Sequence, residues 1–386
     1  MKVAFYAPLK PPDHPVPSGD RTLARALLEA LRVGGHHVSI ASRFRSYDAA
    51  GDAVRQARLA RVAARLAKRL VARYHGARER PDAWFTYHLY HKAPDWLGPA
   101  VSRALAIPYV VAEASVAMRQ QHGRWAPGHV AAIAAIRAAD AVLAVNPRDV
   151  EGVRRVRGVV DQDALLAPFV DLDAFAAHAT SFAHASPPPR RQRVRLVTIA
   201  MMRDGAKLAS YRVLAAALAR IAAADWELVV IGDGPARAAV EAAYAGFTRE
   251  RVRFAGALPT AALAAELRAG DLFVWPAIDE AFGMVFIEAQ ACGLPVVGAA
   301  TAGVAAVVDD GRSGVLVAPA DTAAFAAAML RLIADAGLRA RMARAAVAYV
   351  HARHGLPAAA ARIDALLRQV VAARALRAAA IPVRAR

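Results

Sequence analysis

The sequence predicts an α/β chain of two doubly wound domains, on three observations. Short apolar runs alternate with longer helical patterns along all 386 residues, the mark of βαβ units and parallel sheets. One break interrupts the alternation: residues 176–193 read AAHATSFAHASPPPRRQR, without strand or helix period. Triple proline is stiff, extended and unable to pair in a sheet. The length itself fits two or three domains of about 100 to 200 residues each. The division is therefore placed near residue 186, giving domains 1–185 and 186–386. A helix about 356–376 is the candidate to pack back on the first.

The elements run in order along the chain. Residues 2–7 read as a buried first strand, and 20–33 as the helix after it. Further strands are predicted at 37–42, 83–87, 109–114, 141–145 and 164–168, with a long helix over 53–74. After the break, Val194 opens a fresh pattern, with strands at 194–200, 226–232, 252–256, 272–276, 295–299 and 314–317. Helical periods cover 208–223, 321–334 and 337–353. No internal repeat of fixed period is present.

Composition narrows the class. At 57% hydrophobic and 21% charged, burial of apolar surface can offset the entropy of ordering, which excludes disorder for most of the chain. Cys292 is the only cysteine, so no internal disulfide forms and a reducing compartment is the simplest home. The longest uncharged stretch, Ala289 to Val308, is interrupted by Gly293, Pro295, Gly298, Thr301 and Gly303, and reads as helix end, turn, strand and turn rather than a membrane span. The first residues are too short an apolar run for a signal peptide. The expectation is a soluble cytoplasmic chain. Its net charge of +18 divides evenly, with 25 basic and 16 acidic residues in each half. A diffuse positive field favours phosphorylated ligands, an anionic membrane or nucleic acid. With no zinc motif, RNP-like aromatic sheet pattern or basic tail, nucleic acid is not expected as a partner.

The window 271–299, DLFVWPAIDEAFGMVFIEAQACGLPVVGA, carries the most chemistry. It reads as strand, loop, helix from Met284, stop at Gly293 and a further strand. Ligands of open α/β sheets bind outside the carboxyl ends of strands, where the helix starting near Gly283 points its free N–H groups. Glu280 in the loop and Glu288 about a turn into the helix suit hydroxyls of a sugar and a ribose beside a phosphate. The bland alternative is a solvated Glu280 and a helix-face Glu288.

The string Glu280-x7-Glu288, continuing Ala289-x2-Cys292-Gly293-Leu294-Pro295-Val296-Val297, resembles the signature of family-4 retaining glycosyltransferases of the GT-B fold. Other landmarks stand in that family's order: Pro17-Ser18-Gly19, Pro168-Phe169-Val170-Asp171 with Phe175, Gly232-Asp233-Gly234-Pro235, Val252-Arg253-Phe254-x-Gly256, and Gly311-Arg312-Ser313-Gly314-Val315-Leu316-Val317. The resemblance implies two Rossmann-like domains facing a central cleft, the first on the acceptor side and the second binding the donor. It implies retaining transfer of a hexose from a nucleotide diphosphate sugar to a glycan or lipid-linked acceptor, in cell-surface polysaccharide or glycolipid synthesis. A soluble sugar or sugar phosphate is the alternative acceptor. No metal or other cofactor is implied, and domain closure about residues 176–193 is expected.

By the same resemblance Glu288 holds the ribose hydroxyls and Glu280 those of the transferred sugar, with Phe282, Gly283 and Met284 facing the sugar and its phosphates. Arg203 and Lys207 are the candidates to neutralise the diphosphate; surface-exposed cations are the alternative. Gly19 lets backbone approach a phosphate, but Asp20 stands where the family commonly has a second glycine, which puts an acid near an anion unless Asp20 caps the helix. Glu113 stands where many relatives carry histidine. It either holds a sugar hydroxyl or stabilises charge at the anomeric carbon, or it pairs with Arg119 or Arg124. His88, His91, His122 and His129 are further acceptor-side candidates, for which a structural role is the safer reading.

Residues 55–73 form a basic amphipathic pattern, with Arg55, Arg58, Arg65, Lys68, Arg69 and Arg73 on one stripe and Leu59, Val62, Leu66 and Leu70 on another. This suits a helix lying on an anionic membrane surface with its apolar side inward. It suits equally an ordinary helix packed on the first sheet.

Overall fold

The computed structural model describes residues 1–16, 18–76, 80–172, 175, 193–280 and 283–379. The side chains of Pro147, Arg148, Ala378 and Ala379 are not described. Residues 176–192, nearly all of the stretch read as a hinge, lie outside the described residues.

Each half of the chain builds a six-stranded parallel sheet. In the first, β1 (Lys2–Tyr6), β2 (His37–Ser42), β3 (Ala83–Leu89), β4 (Tyr109–Ala114), β5 (Ala141–Ala144) and β6 (Ala164–Leu165) stand in the order β2-β1-β3-β4-β5-β6. The reversal at β1, from which the sheet grows both ways, is the doubly wound arrangement. In the second, β7 (Val194–Ile199), β8 (Trp226–Ile231), β9 (Val252–Gly256), β10 (Leu272–Trp275), β11 (Val296–Ala299) and β12 (Gly314–Val317) stand in the order β12-β11-β10-β7-β8-β9. All twelve coincide with predicted strands to within a few residues. Buried on both faces, they read as near-continuous apolar runs: Phe5, Phe85, Val110, Val197, Val230, Phe273 and Val297 are all nearly inaccessible.

The compact units are Met1–Leu166 with Ala359–Arg386, and Ala167–Ala358. The division thus falls at Leu166/Ala167 and not near residue 186. The reason is packing: Leu172 and Phe175 belong to the second core. Pro168 O meets His354 Nδ1 at 2.7 Å, and Val170 N donates to His354 O at 3.0 Å. The C-terminal helix Leu356–Ala379 gives the first unit a buried stripe of Ile363, Leu366, Leu367 and Val370. Asp364 lies 3.2 Å from His36 Nε2, and Arg374 lies 2.8 Å from Asp140.

The helix α1 (Gly19–Val33) follows β1, and α2 (Ala53–His75) follows β2. α2 buries Ala63, Ala67, Leu70 and Tyr74, with Leu66 packed against the first core. Leu59 and Val62 are partly covered as well. The apolar stripe therefore faces protein, the second of the two arrangements that its pattern suits. The opposite face keeps Arg55, Arg58, Arg61, Arg65, Lys68, Arg69 and Arg73 exposed. Among the described residues no helix is long and apolar enough to cross a membrane.

Candidate functional site

In the second unit, β7 runs into the loop 200–205 and then the helix Ala206–Arg220, which carries Lys207. Gly205, at φ +76°, precedes that helix without any side-chain cap; Leu208 N donates to Arg203 O at 3.0 Å, which leaves the N–H groups of Ala206 and Lys207 to face an anion. A second loop grips the first. Met202 N donates to Asp233 O at 3.0 Å, and Ala236 N donates to Met202 O at 2.9 Å. The approach is so close that a Cβ at Gly232 or Gly234 would collide with the carbonyls of Ala200 and Met202, and both glycines have positive φ. The Gly232-Asp233-Gly234 motif thus holds the backbone that presents Arg203. Arg203 itself is exposed and makes no ion pair with a described residue.

β10 ends at Trp275, and the loop after it holds Ala277 and Asp279 in the left-handed region at φ +51° and +56°. Non-glycine residues there store strain that surrounding structure must hold. The hold is visible: Ile278 N donates to Ser210 Oγ at 3.0 Å, and Ser210 Oγ donates to Ala206 O at 2.8 Å. This brings Glu280 Oε2 to 2.5 Å from Lys207 Nζ. The Lys207 ammonium lies 5.7 Å from the centre of the Trp275 ring, whose other neighbour is Tyr211 in an edge contact at 4.8 Å. Phe282 lies outside the described residues.

Gly283, at φ +63°, stands directly before the helix Met284–Ala291, again without a side-chain cap. A Cβ there would sit 2.8 Å from Gly303 O and from Val307 Cγ2, so only glycine fits. Glu288 keeps part of its surface open, yet burial pushes its carboxyl up to about 7. Desolvation penalises the charged form. Two uncapped helix starts, a Lys–Glu pair and a second glutamate thus share the carboxyl end of the second sheet. Among the described residues no group of three or more His, Cys, Asp or Glu is placed to hold a metal ion.

In the first unit Ser18, not Asp20, caps α1: its Oγ accepts from Arg21 N at 3.2 Å. Gly19 is exposed, with nothing within 4 Å of a Cβ built on it, so the fold does not demand glycine here. Asp20 turns instead to His88, with 3.0 Å between Oδ1 and Nδ1, and this bond holds the Asp20 carboxyl below its ordinary value. His88 (φ +58°) and Glu113 (φ +60°) end their strand runs with strained backbone. Glu113 Oε2 is 4.0 Å from His88 Nδ1, and Glu113 pairs with neither Arg119 nor Arg124. Burial raises the Glu113 carboxyl; burial pulls the His88 imidazole down, but the Asp20 hydrogen bond and the neighbouring carboxylates together outweigh it and raise it. His91 packs between Tyr90 and Trp125, His129 is buried and His122 is exposed.

Residues 193–335 match the model of the glycosyl transferases group 1 family. That stretch, within the second unit, is a group 1 glycosyl transferase domain. Over 133 residues, 32% of this chain, the sequence is 44% identical to a D-inositol 3-phosphate glycosyltransferase of Salinispora tropica, but that stretch spans only 27% of the relative. An alpha-D-kanosaminyltransferase of Streptomyces kanamyceticus is 29% identical over 70% of this chain and 72% of its own length. The HepE protein of Anabaena, solved with UDP and glucose, superimposes with a TM-score of 0.62 at 18% identity, covering 95% of this chain and 99% of that one. The fold of the chain is GT-B.

In the glycosyl transferase domain, sequence reading singled out Glu280, Glu288, Arg203, Lys207, Gly283 and Met284, and the structure gathers them at one end of one sheet. It did not find Ser210 or Trp275, which hold the loop and the lysine. A serine one turn after Lys207 and a tryptophan closing a strand were the only signals.

Proposed function

We propose that the chain transfers a hexose from a nucleotide diphosphate sugar to a hydroxyl of a glycan or lipid-linked acceptor, with retention. The observation that carries this reading is the Lys207–Glu280 pair between two uncapped helix starts. Cations and free N–H groups suit a leaving diphosphate, whose developing charge they stabilise. A carboxylate held 2.5 Å from that cation suits the hydroxyls of the sugar being moved. Glu288 takes the ribose. Arg203 adds charge at the diphosphate, while Gly283 and Met284 let backbone approach the sugar phosphates. With these groups no metal is needed.

The reaction balances without a dedicated base. The bond from the anomeric carbon to the diphosphate oxygen breaks, and the acceptor oxygen bonds to that carbon on the same face. The acceptor proton passes to the leaving phosphate. Acceptor recognition falls to the first unit, at Gly19, Asp20, His88 and Glu113. The UDP and glucose held by HepE make uridine and a hexose the first donor to try.

The exposed arginine face of α2 supports work beside an anionic surface, by charge alone now that the apolar stripe is covered. This favours a glycan or lipid-linked acceptor made at the inner face of a membrane.

The test is thermal unfolding with a panel of nucleoside diphosphates, followed by donor consumption. A ligand that binds only the folded chain raises its melting temperature. One diphosphate should do so, and its hexose derivative should be consumed by the wild type and far more slowly by Glu280→Gln. No shift with any diphosphate, or equal consumption by both proteins, refutes the reading.

A further inference from the structure

The first unit carries a cluster that neither the fold nor the donor requires. At the carboxyl ends of β3 and β4, His88 faces three carboxylates: Asp20 from α1, Glu113 from β4, and Asp149 from α5 (Pro147–Arg157). Asp20 is bound to His88 at 3.0 Å. Glu113 is 92% buried, counting its 8% exposure, and its Oε2 has no hydrogen-bond partner among the described residues. A buried carboxylate oxygen without a donor is costly, and a bound molecule bearing a hydroxyl or ammonium would supply that donor. Tyr87 hydrogen-bonds the Glu113 carboxyl, Ser115 hydrogen-bonds Asp149, and Lys10 is the one cation that bears on Asp20 besides His88.

Rings continue from the cluster. His88 contacts Tyr90 at 5.2 Å, Tyr90 contacts His91 at 5.2 Å, and His91 contacts Trp125 at 5.7 Å. Tyr90 and Trp125 are both partly open, and the Lys92 ammonium stands over one face of the Trp125 ring. Carboxylates that accept from hydroxyls, beside aromatic surface that takes the apolar face of a ring, are the two halves of a polyol site.

Charge then selects among polyols. Three carboxyl groups bear on one imidazole, and the nearest further cations lie to the sides: Lys10 acts on Asp20, and Lys92 stands 4.5 Å from the centre of the Trp125 ring. A phosphate brought against the carboxylates meets like charge, whereas an ammonium or hydroxyl does not. Resting on the glycosyl transfer proposed above, we infer that the ring accepting the sugar carries no phosphate, and that Asp20, Glu113 and Asp149 around His88 select a neutral or amine-bearing polyhydroxylated ring over its phosphorylated form. Asp20 standing in place of a glycine and Glu113 in place of a histidine thus act together.

The experiment uses the full chain with the donor identified above, and reads the stimulation of donor consumption by matched probes: inositol and inositol phosphate, glucose and glucose 6-phosphate, glucosamine and glucosamine 6-phosphate. In each pair that stimulates, the unphosphorylated member should lead in kcat/KM by about tenfold or more. Glu113→Gln and Asp20→Asn should narrow that ratio through acceptor KM while the melting temperature holds. A phosphorylated member equal or superior to its partner overturns the inference. So does an unchanged ratio in both variants, or stimulation by no neutral probe while donor is still consumed. If donor is neither bound nor consumed, the transfer reading fails first and the inference falls with it.

Discussion

Lys207 Nζ lies 2.5 Å from Glu280 Oε2, so the cation assigned to the diphosphate and the carboxylate assigned to the sugar neutralise each other directly. The side chains are only 29% and 17% exposed, which limits solvent screening. Neither residue acts alone in consequence. Glu280→Gln is expected to lower kcat about 100-fold, the scale of a lost electrostatic contact in a transition state, with little change in donor KM. Lys207→Met should raise donor KM as well. The double variant should fall short of the summed losses by about 0.5–3 kcal/mol, as contacting residues do. Steady-state kinetics of the four proteins decide it, and strict additivity would contradict the coupling.

Glu288 gives the pH dependence. Its carboxyl titrates near 7 in the folded chain against an ordinary 4.5. Between those values the folded chain holds a proton that the unfolded chain has lost, so stability falls as pH rises from about 4.5 to about 7 and levels off above. Glu288→Gln should make that slope shallower, leaving the share of other buried carboxyls such as Glu113, and make the protein more stable at pH 8. Ribose hydroxyls donate best to the ionised carboxylate, so donor affinity in the wild type should rise with pH through about 7. At pH 8 Glu288→Ala should weaken donor binding about 10- to 100-fold, the worth of a charge-assisted hydrogen bond. Chemical denaturation and calorimetric titration across pH measure both; a wild-type stability flat from pH 4.5 to 7 would contradict the assignment.

Charge neutralisation by Arg203, Lys207 and two helix starts predicts that turnover survives EDTA. A loss restored by Mg²⁺ or Mn²⁺ would show that a metal shares the diphosphate.

The arginine face of α2 predicts sedimentation with anionic but not neutral liposomes. Each basic residue near an anionic surface contributes about 1 kcal/mol, and salt should weaken the attachment. Since Arg58, Arg65 and Arg69 are exposed, reversing them to Glu should abolish sedimentation without unfolding the chain. Equal recovery with both liposome types, or with neither, would leave α2 a purely structural helix.

Much of this was legible in sequence because parallel strands buried on both faces leave uninterrupted apolar runs, and because Glu280 and Glu288 sit at a spacing that loop and helix geometry fixes. The features that escaped depend on partners distant along the chain. Phe175 joins the second core from before the proline-rich stretch, which composition alone assigned to the first domain. By residue type Asp20 suits a helix cap, but Ser18 takes that place and frees Asp20 for His88, 68 residues away. The leucines of α2 follow the same period whether they meet lipid or protein, and only the packing distinguishes the two. The strained φ of His88 and Glu113 leaves no mark in residue type, so the histidine that completes the first-unit cluster read as ordinary.

The return of the C-terminal helix to the first unit has a consequence for synthesis. The second unit is an insertion in the first: the chain leaves at Leu166 and comes back at Ala359. Ile363, Leu367 and Val370 are buried in the first unit, and Asp364 and Arg374 meet His36 and Asp140 across more than 200 residues of sequence. On the ribosome, residues 1–166 must therefore wait, lacking part of their packing, until the helix beyond Ala359 has emerged. The inserted unit is complete first, which reverses the usual order in which an N-terminal domain folds before its successor.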